Sequence, residues 1–203
     1  MEEAVGGSAL VGAIVHTAAS PCRCHAALRD AVESLGHEAR VVPAERVPGS
    51  RAALIEADVV FEHADTWRGT HARRPELRRL LERWGCRLAG TAAGPAAAAD
   101  DKAEGHRRLE RAGVRVPRWC FVARGSPSLR FPRIVKPSLA HGSDGLLFVR
   151  DAAAWDRLRP TRTPRLAEEF VAGRELTLAG IEVGGRLRWL PVVEVVLPAG
   201  GIY

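Results

Sequence analysis

Short apolar runs alternate with amphipathic stretches along the first half of the chain. Four runs are largely aliphatic and bounded by turn residues, and they predict strands at 10–15, 38–42, 57–61 and 86–89. Between them, apolar residues recur with helical spacing at 26–35, 51–56 and 75–84. Strands that alternate with helices in this way predict an α/β fold with a doubly wound parallel sheet, whose ligands bind at the carboxyl ends of the strands.

His63 comes directly after the third predicted strand and is therefore a candidate site residue. Two interpretations of this histidine carry equal weight. It lies in a substrate pocket at the sheet edge, or it is a strand-end side chain satisfied by the backbone.

After residue 100 the predicted elements become shorter and more extended. A helix is predicted from Asp101 to Gly113, with a second, short one at 152–158. The strand-like segments are 119–122, 131–137, 146–149 and 165–171. Glu175–Val183 and Arg188–Val196 flank the pair Gly184-Gly185 and predict a hairpin. The alanine-rich stretch 92–99 is the candidate joint between domains.

Composition predicts a globular, cytoplasmic protein. With 203 residues, of which 46% are apolar, the chain can bury a core. Its first residues, Met1–Glu3, are acidic where a secretory signal needs positive charge, and the apolar run 9–15 is too short to span a bilayer. We expect no membrane segment.

The four cysteines are expected to be free thiols. Cys22 and Cys24 lie too close in sequence to pair easily, and Cys86 and Cys120 belong to unrelated segments. The run from Cys22 to His25 contains three metal-ligand side chains, but no second motif with finger-like spacing accompanies it. We therefore predict no metal site from these residues.

The net charge of +6 raises the question of nucleic-acid binding. Arginines are interleaved with acidic residues, as in 76–83, which is typical of a solvated helix face, so no nucleic-acid partner is expected. Of the 30 basic residues only Lys102 and Lys136 are lysines. A slim ammonium fits beside phosphate oxygens where a planar guanidinium does not, which makes these two positions candidates for phosphate binding.

The loop 138–145 is the candidate phosphate loop. Gly142 and Gly145 allow close approach of the backbone, and Ser138 and Ser143 add hydroxyl groups. The loop lacks the P-loop and the dinucleotide-binding glycine patterns, so on its own it is better explained as an ordinary glycine turn.

Six motifs in order give this loop a context. They are Asp101-Lys102, Val116-Pro117, Ile134–Ser138, Gly142–Gly145, Ala167–Val171 and Gly173–Thr177. In this order they resemble the D-alanine–D-alanine ligase branch of the ATP-grasp superfamily, from about Ala57 to Tyr203. The resemblance implies a pre-ATP-grasp domain with the doubly wound parallel sheet at 1–99, an α+β ATP-grasp lid subdomain at 100–175, and the start of the second ATP-grasp subdomain at 176–203.

The resemblance also implies an ATP site with specific roles for individual residues. Lys102 and Lys136 would contact the phosphates, and the loop from Ser138 to Gly145 would close over them as a lid. Glu168 would accept a hydrogen bond from the adenine amino group, and Glu175 would bind the ribose hydroxyls. The other implied nucleotide-site residues are Gly142, Ser143, the backbone at Glu169, and Val171, and the implied catalytic residues are His63 and Ser143.

Such ligases transfer the γ-phosphate of ATP to a carboxylate, and an amine then displaces phosphate to form an amide. The implied partners are small molecules, with a homodimer as one compatible assembly and peptidoglycan synthesis as the implied setting. The Mg²⁺ ligands of this family are expected beyond residue 203, so the chain as given is expected to be inactive as a ligase. The alternative is a non-catalytic nucleotide-binding module.

Three segments depart from the family pattern and affect the amino-acid substrate more than ATP. Ser20–His25 replaces a stretch that carries an anchoring glutamate for the first D-alanine. From His63 to Thr70 only the histidine of the family motif is kept, and Asp144 places a negative charge in the expected lid. The sequence therefore does not identify D-alanine as a substrate.

Overall fold

The fold is described from a computed structural model covering residues 8–20, 22–123 and 129–196, so the acidic start Met1–Glu3 lies outside the described residues. The chain divides into two compact units. The first comprises Met1–Ala112 and Leu139–His141, and the second comprises Gly113–Ser138 and Gly142–Tyr203. These units do not coincide with the expected domains 1–99, 100–175 and 176–203, which stay predictions.

A parallel sheet of three strands forms the centre of the first unit. Its strands are β1 (Val11–His16), β2 (Glu38–Pro43) and β3 (Val59–His63), in the order β2-β1-β3. The predicted parallel sheet is thus confirmed for these strands. Their β-branched residues pack in alternation against both faces of the sheet.

The predicted fourth strand at 86–89 is wrong in extent. It makes one parallel bridge, between Leu88 and Val60. The N–H of Val60 donates to the carbonyl of Arg87 at 2.8 Å, and the N–H of Ala89 donates to the carbonyl of Val60 at 2.9 Å. Gly90 then adopts a φ of 87°, a left-handed conformation that turns the chain and ends the pairing.

Five α-helices belong to the first unit. They are α1 (Cys24–Ser34), α2 (Arg51–Glu56), α3 (Arg74–Arg83), α4 (Ala93–Asp100) and α5 (Lys102–Arg111). Short 3₁₀ turns at Ala44–Ser50 and His71–Arg73 precede α2 and α3. The core contains Val15, Leu54, Val60, Leu77 and Leu81, each 0% exposed. No helix in the described residues is both long and apolar enough to cross a bilayer.

The alanine-rich stretch 92–99, the candidate joint between domains, is helical. It forms most of α4, because alanine has the highest helix propensity and this run contains no competing polar side chain. Helix α5 follows after one residue, Asp101, whose carboxylate caps it by accepting from the backbone N–H groups of Ala103 at 3.0 Å and Glu104 at 3.4 Å. This stretch therefore continues the first unit.

The second unit contains a four-stranded antiparallel sheet. Its strands are β4 (Trp119–Phe121), β5 (Arg133–Pro137), β6 (Leu147–Val149) and β7 (Arg165–Glu169), in the order β4-β7-β5-β6. Helix α6 (Ala152–Asp156) lies between β6 and β7 in sequence. Val135, Val149, Leu166 and Ala167 are buried in this unit.

The predicted hairpin after residue 175 is present but interrupted. The strands β9 (Gly180–Val183) and β10 (Arg186–Trp189) pair through the Gly184-Gly185 turn, where both glycines have positive φ as a type I′ turn requires. The flanking strands β8 (Glu175–Thr177) and β11 (Val193–Val195) form a separate two-stranded ladder. Apolar side chains of both ladders are exposed, including Trp189 at 64%.

Candidate functional site

The carboxyl ends of β1 and β3 carry His16 and His63, which are paired neighbours in the parallel register. A small pocket opens beside them and is lined also by Cys22, His25 and Asp65. The predicted location of His63 at this sheet edge is confirmed, and its catalytic role stays a prediction. The His16 and His25 rings are stacked with centroids 4.1 Å apart. Burial, reinforced by the proximity of His25, lowers the pKa of His16.

The prediction that Cys22 and Cys24 are free thiols is wrong, since the structure joins them in a disulfide. Their Cα atoms are 5.5 Å apart, which is within the usual disulfide range. Arg23, the one residue between them, has φ −93° and ψ 14°, so the chain turns there instead of running extended. Cys86 and Cys120 are not joined in a disulfide, as expected.

A network of buried charges lies behind the end of β3. The Glu62 side chain is 0% exposed, and its Oε2 atom lies 3.4 Å from a nitrogen of Arg74 and 3.5 Å from one of Arg78. Arg74 also binds both oxygens of Asp100, at 2.8 and 2.6 Å. This network was not predicted from the sequence. The sequence features that could have indicated it are a glutamate within an apolar strand and two arginines one helical turn apart on α3.

Lys102 is the first residue of α5, and its Nζ donates to the carbonyl of Ala140 at 2.5 Å. The ammonium of this predicted phosphate ligand thus contacts the loop 138–145 through the segment Leu139–His141, which belongs to the first unit. Next to that contact, Nε2 of His141 lies 3.7 Å from Oδ1 of Asp100.

Protonation of His141 should reduce stability at acidic pH. Burial is the main cause that lowers its pKa below the ordinary value, and the Asp100 carboxylate opposes this effect. Because the pKa is lower in the folded state, the stabilisation from neutral His141 is fully present above about pH 6.5 and is lost as the pH falls through the lowered pKa. We expect the urea midpoint to fall between about pH 7.5 and pH 5.5, and to fall less in His141→Gln.

The His141→Gln comparison isolates one histidine, since His16 and the other titrating groups contribute to both proteins. Equal pH dependence of the urea midpoint in the two proteins would contradict the assignment to His141.

Lys136 and Glu168 meet on adjacent strands of the second unit. Lys136 lies on β5 and Glu168 on β7, and their Nζ and Oε2 atoms are 2.8 Å apart. The side chains are 22% and 8% exposed, so the pair is largely shielded from water. The structure therefore brings together two of the residues that sequence analysis assigned to nucleotide binding.

The backbone of the loop 138–145 adopts the left-handed conformations that its glycines favour. Gly142, Ser143 and Gly145 all have positive φ, and Ser143 at 60° is one of the few non-glycine residues in that region among those described. A Cβ added to Gly145 would lie 2.9 Å from Cγ of Pro137, so glycine is required there both for its φ and for space. Ser138 is buried, and its N–H donates to the carbonyl of Pro164 at 2.9 Å.

The remaining predicted nucleotide residues differ in their surroundings. Glu169 accepts a hydrogen bond from the N–H of Arg130 at 2.9 Å and lies 3.5 Å from Arg118. Val171, just after β7, is 69% exposed. Glu175 is exposed on β8, in the ladder with β11. Their nucleotide roles stay predictions.

The chain is similar in sequence to curated D-alanine–D-alanine ligases. It is 30% identical over 187 residues to the enzyme of Rhizorhabdus wittichii, covering 86% of this chain and 57% of that protein. It is 28% identical over 191 residues to that of Halalkalibacterium halodurans, covering 87% of this chain and 60% of that protein. The chain thus spans somewhat more than half the length of these relatives. No protein-family model matches it.

Solved structures agree with the sequence comparison at the level of the fold. D-alanyl-alanine synthetase A from Vibrio cholerae matches with a TM-score of 0.68 at 14% identity, covering 96% of this chain and 70% of that one. D-alanine–D-alanine ligase from Bacillus anthracis, in complex with ATP, matches with a TM-score of 0.61 at 14% identity, covering 96% and 74%. A RimK domain ATP-grasp protein from Sphaerobacter thermophilus matches with a TM-score of 0.59 at 20% identity, covering 83% and 68%.

These comparisons confirm the resemblance found in the sequence. The mixed α/β fold, with its parallel and antiparallel sheets, is that of ATP-grasp proteins. In sequence the chain is similar to D-alanine–D-alanine ligases over most of its length.

Proposed function

We propose that the chain is the nucleotide-binding part of an ATP-dependent carboxylate–amine ligase similar to D-alanine–D-alanine ligases. The observation that carries this proposal is the shielded pair of Lys136 and Glu168, set on adjacent strands of an ATP-grasp fold. Sequence similarity to the ligases over 86% of the chain supports it.

The pair offers the two kinds of group that a nucleotide needs. The Glu168 carboxylate can accept a hydrogen bond from the adenine amino group, and the Lys136 ammonium can donate to a phosphate oxygen. At 2.8 Å each partner holds the other in place, so both are oriented before the ligand arrives. Glu169 and Val171, which follow Glu168 on the same strand and its end, would frame the purine.

Roles are also proposed for Lys102 in the first unit and, separately, for residues of the loop from Ser138 to Gly145 and for Glu175. Lys102 would neutralise phosphate charge, and the positive-φ residues Gly142, Ser143 and Gly145 would let backbone N–H groups of the loop approach the phosphates. The proposed ribose ligand is Glu175. His63, with Ser143, would act on the reacting groups.

In the proposed reaction the carboxylate oxygen of one substrate attacks the γ-phosphorus, ADP leaves, and an amine then displaces phosphate from the acyl phosphate. The protein contributes positioning and charge neutralisation, for which Lys102 and Lys136 are suited. Mg²⁺ is general in such chemistry, but no three carboxylates of the described residues come within range of one ion. Because one or two carboxylates together with substrate phosphates can hold Mg²⁺, this observation does not locate its ligands, and no step is assigned to that ion.

Replacing Lys136 with alanine should weaken ATP binding by about tenfold or more. A charge-assisted hydrogen bond contributes about 1.5–3 kcal/mol, and the substitution removes the ammonium that lies 2.8 Å from the Glu168 carboxylate. Lys102→Ala should weaken binding as well. Titration calorimetry with ATP measures both affinities.

The matched control is Arg111→Ala, which removes a cation whose side chain is 69% exposed on the same helix as Lys102. It should bind ATP as the parent does. If both lysine variants also retain the parent affinity, the proposed site is wrong.

The second candidate function is a nucleotide-binding module without ligase activity. The segment Ser20–His25 favours it, because this segment lacks the anchoring glutamate expected for the first D-alanine. Release of phosphate from ATP that depends on an added amino acid would support the ligase, whereas ATP binding without turnover in the full-length protein would support the module.

A further inference from the structure

The segment before α1 places two sulfur atoms beside a histidine from a distant part of the chain. Cys22, Cys24 and His63 each contribute one ligand atom, and these three atoms lie within 4.8 Å of one another. His63 comes from the end of β3, whereas the cysteines follow β1. The parallel register of β1 and β3 brings the strand ends to one edge of the sheet and so creates the cluster. The proposed nucleotide site does not use the two cysteines.

The donor set suits a particular class of ion. Two thiolates and an imidazole are ligands of Zn²⁺ and related metals, whereas Mg²⁺ prefers oxygen. Tetrahedral Zn²⁺, with bonds of roughly 2.0–2.3 Å, needs ligand atoms roughly 3.3–3.9 Å apart. The three ligand atoms, which lie within 4.8 Å of one another, would reach that spacing by side-chain rotation once the sulfur–sulfur bond is reduced.

The surroundings of the cluster also favour an ion. The pocket beside it is far too small for a drug-sized ligand, which needs roughly 300–1,000 Å³. Cys24 is the first residue of α1, an eleven-residue helix whose N-terminus carries partial positive charge that stabilises a thiolate. Asp65 lines the same pocket and is held by Ser20, whose Oγ lies 2.5 Å from Oδ2.

A structural disulfide explains the positions of Cys22, Cys24 and His63 less well than a metal site does. A bond between Cys22 and Cys24 closes a loop with one intervening residue, so it removes little chain entropy from the unfolded state. It also leaves unexplained why both sulfur atoms lie next to His63. A metal ion would join the segment before α1 to β3, which the disulfide does not.

We infer that Cys22, Cys24 and His63 form a binding site for a thiolate-seeking divalent metal ion such as Zn²⁺. The disulfide is the oxidised form of this site. A dithiol reductant supplies two electrons and two protons, which gives two thiols, and is itself oxidised to a disulfide. On metal binding each thiol releases its proton to solvent, and His63 binds through a neutral ring nitrogen. Water occupies the fourth position.

Co²⁺ titration of the reduced, full-length chain tests this inference. We expect one Co²⁺ per chain with thiolate-to-metal charge-transfer absorption, and displacement of Co²⁺ by Zn²⁺. Cys22→Ser and Cys24→Ser should each abolish the absorption of the parent. His63→Ala should weaken Co²⁺ binding by at least about tenfold, because even outer-shell partners of metal sites contribute that much.

The matched control removes the other two cysteines. Cys86→Ser/Cys120→Ser keeps the proposed ligands and should retain the absorption band. The oxidised parent protein, which needs no substitution, should show no band and gain it on reduction. The inference is wrong if the band persists in both Cys22→Ser and Cys24→Ser, if His63→Ala binds Co²⁺ like the parent, or if oxidised and reduced proteins bind it equally.

Discussion

Glu62→Ala is expected to lower the free energy of unfolding of the first unit by about 3–5 kcal/mol, the usual cost of breaking a buried ion pair from one side. Glu62 is 0% exposed at its side chain, and its carboxylate faces both Arg74 and Arg78. Without it, the Arg78 guanidinium stays buried at 6% exposure with no carboxylate opposite, and its Nε already lacks an acceptor among the described residues.

Urea unfolding followed by far-UV circular dichroism measures this loss. The matched control is Glu38→Ala on the neighbouring strand β2, where the glutamate forms an ion pair with Arg40 and both side chains are about half exposed. Such exposed pairs contribute about 0–1 kcal/mol. Equal effects of the two substitutions on the free energy of unfolding would show that burial of the Glu62 carboxylate does not determine its contribution to stability.

Leu77→Ala is expected to destabilise the first unit by about 2–5 kcal/mol, as buried leucine-to-alanine substitutions do. Leu77 is 0% exposed on α3 and belongs to the core that contains Leu54, Val60 and Leu81. Its truncation removes buried methyl groups and leaves a cavity that the neighbouring helix and sheet fill only in part.

The comparison is Leu35→Ala, a leucine that is 74% exposed just after α1. Its removal should change the free energy of unfolding by less than about 0.5 kcal/mol. A loss at Leu77 as small as at Leu35 would mean that the packing of α3 onto the sheet is not as described.

Elements with a strong local pattern could be predicted from sequence. Strands β1 and β2 and helices α3 and α5 lie within one or two residues of their predicted bounds, because apolar periodicity and glycine stops are local signals. The strand predicted at 86–89 was wrong because pairing depends on a partner as well as on propensity, and only Leu88 bridges to Val60. The helical state of the alanine run was not predicted, although alanine has the highest helix propensity.

The site was predictable in part. The scarcity of lysine singled out Lys136, and the motif order singled out Glu168, but the contact between them follows from the strand order β4-β7-β5-β6, which sequence order does not give. The cluster of Cys22, Cys24 and His63 was missed for the same reason. His63 is far from the cysteines in sequence, and only the parallel pairing of β1 and β3 brings it close.

The exposed two-stranded ladders at the end of the described chain carry a tryptophan whose fluorescence can report on this surface. Trp189 on β10 is 64% exposed, whereas Trp67 in the first unit is 4% exposed. An indole in water emits at longer wavelength than one in an apolar setting, so Trp189 should contribute the red part of the emission. Any protein, second copy or further segment of chain that covers β9 and β10 would shift that part to the blue, which allows association at this surface to be followed without a label.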